Sequence, residues 1–159
     1  MTQYYFDTSA LVKYYLTETG SRWVSGLLDD RDFRGNWIHK VVTTLLSNVE
    51  GICALERAHR GGRIDTVSLD SARRRLLLDL RSRYHVLGVN RAVVLRAADL
   101  AQDHPLRAYD ALHLATALFL NEELAGKRIP VCVFVSADEN LLAAARAEGL
   151  SAENPTEHE

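Results

Sequence analysis

The chain has 159 residues, 47% hydrophobic and 25% charged, with three prolines and nine glycines, a balance that excludes a fibre or a disordered tail and suits one domain with its own core. The net charge of −2 hides an asymmetry: residues 57–96 hold ten arginines against three acids, a balance of +7 that leaves −9 elsewhere. No basic run precedes an apolar stretch at the start, and no apolar run reaches the roughly 20 residues that span a bilayer, so a cytoplasmic protein with no membrane contact is expected.

Gln3 to Phe6 predicts a short strand that stops at Asp7-Thr8-Ser9, residues typical of helix caps. A helical segment follows from Ala10 to about Leu16, and Gly20-Ser21 breaks it before a second helix to about Asp30. Trp37 to Thr43 predicts a second strand, although its apolar and polar residues are mixed. Ser47 to Glu50 has the S-x-x-E form of a capping box, opening a helix that ends before Gly61-Gly62. From Ser68 to Arg83, Leu69, Ala72, Leu76 and Leu80 recur at helical spacing.

Tyr84 to Val89 predicts a strand and Arg91 to Gln102 a helix ended by His104-Pro105. A long helix is expected from Leu106 to Leu124. Val131 to Val135 is the clearest strand, and Cys132 inside it predicts a buried thiol; Cys53 and Cys132 fit no metal or redox spacing. Ser136 to Glu139 repeats the capping-box pattern before a helix to about Glu148, with Gly149 suited to its C-terminal turn. Leu150 to Ala152 predicts a last short strand. Alternating strands and helices imply a mostly parallel sheet covered on both faces. A single domain over residues 1–155 is expected, with 156–159 a frayed tail.

Ligands of open parallel α/β sheets bind beyond the carboxyl ends of the strands. Asp7 directly follows the first strand, Asp138 follows the Val131–Val135 strand, and Glu50 and Asp110 lie in opening turns of helices. Each has a structural reading as well: Asp7 can cap a helix, Glu50 can answer Ser47, and Asp110 and Asp138 can complement helix dipoles. Together, carboxylates on one rim would repel one another without cations, and hard oxygen donors suit Mg²⁺ or Mn²⁺, the ions of phosphodiester hydrolysis. No serine–histidine or cysteine–histidine pattern, zinc spacing or glycine-rich phosphate loop competes.

Four segments carry a family resemblance: Tyr5-Phe6-Asp7-Thr8-Ser9-Ala10-Leu11-Val12-Lys13, Thr44 to Glu50 with Ala54, Leu55 and Arg57, Arg107 to Ala117, and Phe134 to Leu142. In order and spacing they resemble the PIN-domain ribonucleases, most closely the VapC-type toxins of toxin–antitoxin pairs. The resemblance implies a three-layer α/β/α sandwich around a mostly parallel sheet. It also implies an endoribonuclease that uses Mg²⁺ or Mn²⁺, with Asp7, Glu50, Asp110 and Asp138 as catalytic metal ligands. An antitoxin protein and a second copy of the chain are the implied partners beside RNA.

Thr8 or Ser9 would sit beside the metal, though plain helix capping suits both equally. His113, one turn after Asp110, reads as a satisfied core histidine or a support for the ligands. Arg107 reads as a contact to a phosphate or to a partner's acid, or as a solvated residue. The arginines of residues 57–96 read either as contacts to an RNA backbone, in which case charge reversal at Arg73, Arg74 and Arg75 is expected to weaken binding, or as a solvated helix face or protein interface. Ser136 stands where threonine is common in the family, which keeps the hydroxyl. The alternatives are a PIN-fold RNA-processing nuclease without an antitoxin and a non-catalytic RNA- or protein-binding module. A phosphotransferase with Asp7 as nucleophile is disfavoured, because Ser9 stands where a second aspartate would be needed.

Overall fold

Residues 2–158 are described by a computed structural model, built around a five-stranded parallel sheet in the order β3-β2-β1-β4-β5. The strands are β1 (Gln3–Phe6), β2 (Lys40–Thr44), β3 (His85–Leu87), β4 (Val133–Val135) and β5 (Ala152–Glu153). Side chains alternate across each strand, so register decides which residues meet. Tyr5 lies opposite Val42 and Phe134, and all three face one layer of helices. Phe6, Val41 and Val135 face the other.

On the Phe6 side lie α1 (Thr8–Leu11), α2 (Ser21–Leu28), α3 (Leu46–Arg60) and α4 (Thr66–Ser82), which supply Leu11, Val24, Leu55 and Leu76 to the core. On the Tyr5 side lie α5 (Arg91–Asp103), α6 (Ala108–Gly126) and α7 (Glu139–Ala147), which supply Val93, Leu114 and Leu141. Buried residues occur round most of α6, since α5 and the sheet cover it together. The three-layer parallel architecture expected from the sequence is the one observed. No helix among the described residues is long and apolar enough to cross a membrane.

Several local expectations change. The predicted Trp37–Thr43 strand pairs only from Lys40. Trp37 instead forms an isolated antiparallel bridge with Arg31. Its ring lies 3.4 Å from the Arg31 guanidinium carbon and 3.7 Å from that of Arg83. Neither capping box forms. Ser47 and Ser136 are fully buried and turn into the fold, α3 starts at Leu46 without a side-chain cap, and Asp138 caps α7.

The stretch expected to fray from 156 instead continues a 3₁₀ turn, Pro155–Glu157, capped by Asn154, while Glu159 lies outside the described residues. This end docks on Gly20, where a Cβ would lie 2.8 Å from the Pro155 carbonyl; Gly20 also has φ +88°, so it needs glycine twice over. Gly149 plays its expected part. At φ +87° its N–H donates to the Arg146 carbonyl while Leu150 N–H donates to Ala145, which closes α7 as a Schellman motif.

Candidate active site

The chain runs outward from β1 in two directions, through β2 to β3 and through β4 to β5, so a crevice opens beyond the carboxyl ends of β1 and β4. Asp7 and Ser136 each follow one of these strands. The Asp7 carboxylate accepts from Ser136 Oγ at 2.8 Å, Ser9 Oγ at 2.8 Å and the Ala10 N–H at 2.9 Å. It is therefore the N-cap of α1 and a group fixed from two strands at once. At 2% exposure, burial pushes its carboxyl above the ordinary range, while the nearby His113 and these donors oppose that rise.

A second network lies beside it. Thr43 Oγ1 donates to the Phe6 carbonyl at 2.8 Å and pairs with Ser47 Oγ at 2.7 Å; Ser47 in turn pairs with Thr8 Oγ1 at 3.0 Å. His113, buried in α6, pairs through Nε2 with Glu50 at 3.0 Å and through Nδ1 with the Tyr5 hydroxyl at 3.2 Å. The histidine fills both roles expected of it, since it is a core residue and it holds a candidate ligand. Thr8 serves this network through its hydroxyl, while Ser9 holds Asp7 and accepts from Ala137 N–H at 3.0 Å.

Glu50, Asp110 and Asp138 line one open cleft of about 700 Å³, together with Thr8 and Ser9. Asp7 sits beneath Ser9. Asp138 accepts from Leu141 N–H at 2.9 Å. Asp110 has its carboxyl raised by burial first, then by the charges of Asp138 and Asp7, with a smaller contribution from Glu50; His113 lowers it. Three of the four sequence-predicted acids thus line one cleft, and the fourth, Asp7, is buried next to it, close enough for its charge to raise Asp110.

Among the described residues, no group of three or more His, Cys, Asp or Glu side chains stands close enough to hold an ion. Asp7, Glu50 and Asp138 are each held by the partners just named. The chemistry of the set nonetheless suits a hard cation: all four donors are carboxylates, and Asp110 carries repulsion that a divalent ion would relieve.

The arginine-rich stretch is placed differently. Arg73 pairs with Glu56 at 2.8 Å and also with Asp70, Arg83 donates to Leu28 and Tyr14, and Arg96 pairs with Glu122 at 2.7 Å. Arg74 and Arg75 line a separate groove on α4 with Val67 and Leu78. Only Arg57 and Arg63 of the ten line the acidic cleft, which Arg107 joins from outside the stretch. Cys132 is buried as expected, its thiol pushed up to about 11 by desolvation, and Cys53 is exposed; both are free.

Sequence reasoning assigned no site role to Tyr5, Thr43, Ser47 or Ser136. The available signal was position: Ser136 directly follows β4 and Ser47 lies in the first turn of the helix after β2, at the edge where a parallel sheet builds its sites. The S-x-x-E spacing concealed it.

A doubly wound parallel sheet with carboxylates collected beyond its switch point defines an α/β protein whose site lies at the strand ends. Residues 4–149 match the PIN domain, and the chain belongs to that family. It is similar to two proteins of Mycobacterium tuberculosis, Ribonuclease VapC45 of strain CDC 1551 / Oshkosh and Ribonuclease VapC49 of strain H37Rv. Each is 34% identical over 118 residues, which cover 74% of this chain and 76% of the relative. Among solved structures, a toxin–antitoxin complex from Klebsiella pneumoniae matches at TM-score 0.58 and 15% identity, over 96% of this chain and 97% of that one. PAE2754 from Pyrobaculum aerophilum matches at TM-score 0.59 and 20% identity, over 95% and 83%. These structures share the fold.

Proposed function

We propose that this chain is a divalent-metal-dependent endoribonuclease that hydrolyses RNA phosphodiester bonds, acting as the toxin of a VapBC-type pair. The observation that supports the reading is one cleft lined by Glu50, Asp110 and Asp138, with the buried Asp7 close enough for its charge to act on Asp110, in a chain 34% identical to two proteins named ribonucleases. Mg²⁺ or Mn²⁺ is the cofactor that the all-carboxylate donor set favours. Such an ion, when bound, supplies activation of the attacking water and neutralises charge at the phosphoryl group.

The chain's own part is to hold the oxygens in place. Ser9, Ser136 and the Ala10 N–H fix both Asp7 oxygens, so this carboxylate is presented in one orientation. His113 holds Glu50 while Tyr5 holds His113, a support of the kind that orients metal ligands from behind. Asp110 stands half-buried with the least committed oxygens of the four, and a proton there competes with any cation.

An antitoxin is the partner that the likeness to a toxin–antitoxin complex supports. A second copy of the chain and a cytoplasmic location complete the proposal. The test is cleavage of a mixed single-stranded RNA pool by pure protein with Mg²⁺, Mn²⁺ or EDTA, beside Asp110→Asn. Metal-dependent cutting lost in the variant supports the reading. Folded, antitoxin-free wild type that cuts under no condition refutes it.

A further inference from the structure

The acidic cleft has another set of side chains that the reaction above leaves unused. α3 lays Glu50 and, seven residues on, Arg57 along the same wall, about 10 Å apart along the helix axis. Across from them α6 begins with Arg107 and Tyr109, on the two sides of Ala108 and just ahead of Asp110. Arg57 and Arg107 are exposed, and neither forms a salt bridge among the described residues, although carboxylates line the same cleft. Arg107 is also at the positive end of the α6 dipole, where a cation opposes helix stability, so the helix itself gives no reason for it. Tyr109 leaves 51% of its surface open beside it.

We infer that these three residues form a track for single-stranded RNA through the cleft, an inference that rests on the ribonuclease reading. Arg57 and Arg107 take backbone phosphates on either side of the acidic rim, and the Tyr109 ring stacks on an unpaired base next to the bond to be cut. A guanidinium binds phosphate through paired N–H donors, and a base offers a flat face to any exposed aromatic ring. An acidic protein segment is the less suitable occupant. It would set its carboxylates among Glu50, Asp110 and Asp138, and it would leave Tyr109 with nothing to stack on.

The test uses a fluorescein-labelled, mixed-sequence single-stranded RNA. Steady-state cleavage is read for wild type, Tyr109→Ala, Tyr109→Phe, Arg57→Gln and Arg107→Gln, and binding is read by anisotropy for the same changes in an Asp110→Asn background that does not deplete the probe. Tyr109→Ala is expected to raise KM by roughly 5- to 150-fold, the effect of losing one base–aromatic stack, with little change in kcat, and Tyr109→Phe to keep the wild-type KM. Each arginine variant should lower the slope of log affinity against log salt by roughly 0.7.

Unchanged KM and salt slopes in all variants overturn the track while leaving the nuclease intact. A wild type that cuts no RNA, with Asp110→Asn binding it and losing that binding on these changes, keeps the track and refutes the nuclease. A fluorescein-labelled polyglutamate peptide that binds in place of RNA, weakened by Arg57→Gln and Arg107→Gln but indifferent to Tyr109→Ala, overturns the track in favour of a protein segment.

Discussion

The acids and the arginines of this chain behave in opposite ways. Asp7, Glu50, Asp110 and Asp138 are scattered along the sequence, yet three of them line one cleft and Asp7 is buried close enough to act on Asp110. The ten arginines of residues 57–96 are crowded in sequence and disperse in space: Arg63 to Glu18, Arg73 to Glu56, Arg83 to Tyr14 and Leu28, Arg96 to Glu122. The difference follows from topology. Residues close in sequence on a helix point outward around its axis, whereas the carboxyl ends of parallel strands bring distant segments to one line. A run of like charge therefore reports a helix surface, and a site is reported by position relative to the strands.

The sharpest way to break this contrast is to remove one gathered acid. Asp7→Asn should abolish metal-dependent RNA cleavage, a loss larger than the roughly 10- to 100-fold that follows from disturbing only a ligand's support. The fold should survive, because Asn caps helices as well as Asp does. Circular dichroism beside the cleavage assay checks both halves, and full-rate cutting by the variant would remove Asp7 from the centre. Ser136→Ala tests the next layer. It takes one of the donors from Asp7 and should weaken Mn²⁺ affinity by roughly 10- to 100-fold, read by calorimetric titration.

A third experiment uses pH. The folded-state carboxyl of Asp110 lies above its usual value, because burial and the Asp138 and Asp7 charges disfavour its ionised form. The folded chain thus holds this proton more tightly than the unfolded chain does. Its contribution to stability is full below the unfolded value and is lost as pH rises through the folded one. In EDTA, Asp110→Asn should therefore melt higher than wild type at neutral pH, with the gap closing as pH falls toward 4. Mg²⁺ should narrow the gap by stabilising wild type more. Thermal melts across pH decide this, and a gap independent of pH would mean that Asp110 titrates alike in the folded and the unfolded chain.

The smallest effect is expected from the crowded arginines. Arg73→Gln should barely shift the melting temperature, since its ion pairs are exposed to solvent, and leave cleavage and its salt slope unchanged. Loss of RNA affinity in that variant would restore α4 as part of the substrate surface.

Much of this was legible beforehand, for stated reasons. The strand ends could be read at Phe6 and Val135, and the acids behind them were legible through the strand-end rule; Glu50 and Asp110 were legible through their places in opening helical turns. What the sequence concealed was direction. Ser47 and Ser136 satisfy the spacing of a capping box, but the first turn of α3 and the end of β4 carry them inward, so tertiary partners displaced the local ones. Trp37 looked like a strand residue because aromatics favour strands, yet two guanidiniums hold its ring outside the sheet. His113 could be read as core or support because nothing in sequence says that Tyr5 and Glu50 flank it.

Asp7 and Asp138 each cap a helix start and, on the proposed reading, each also hold the metal. Asparagine can do the first task and not the second, and every aspartate codon lies one base change from an asparagine codon. On that reading a point transition would silence the reaction while keeping the helix cap. The result would be an inert copy that accumulates normally and still offers its surface to whatever binds the active form.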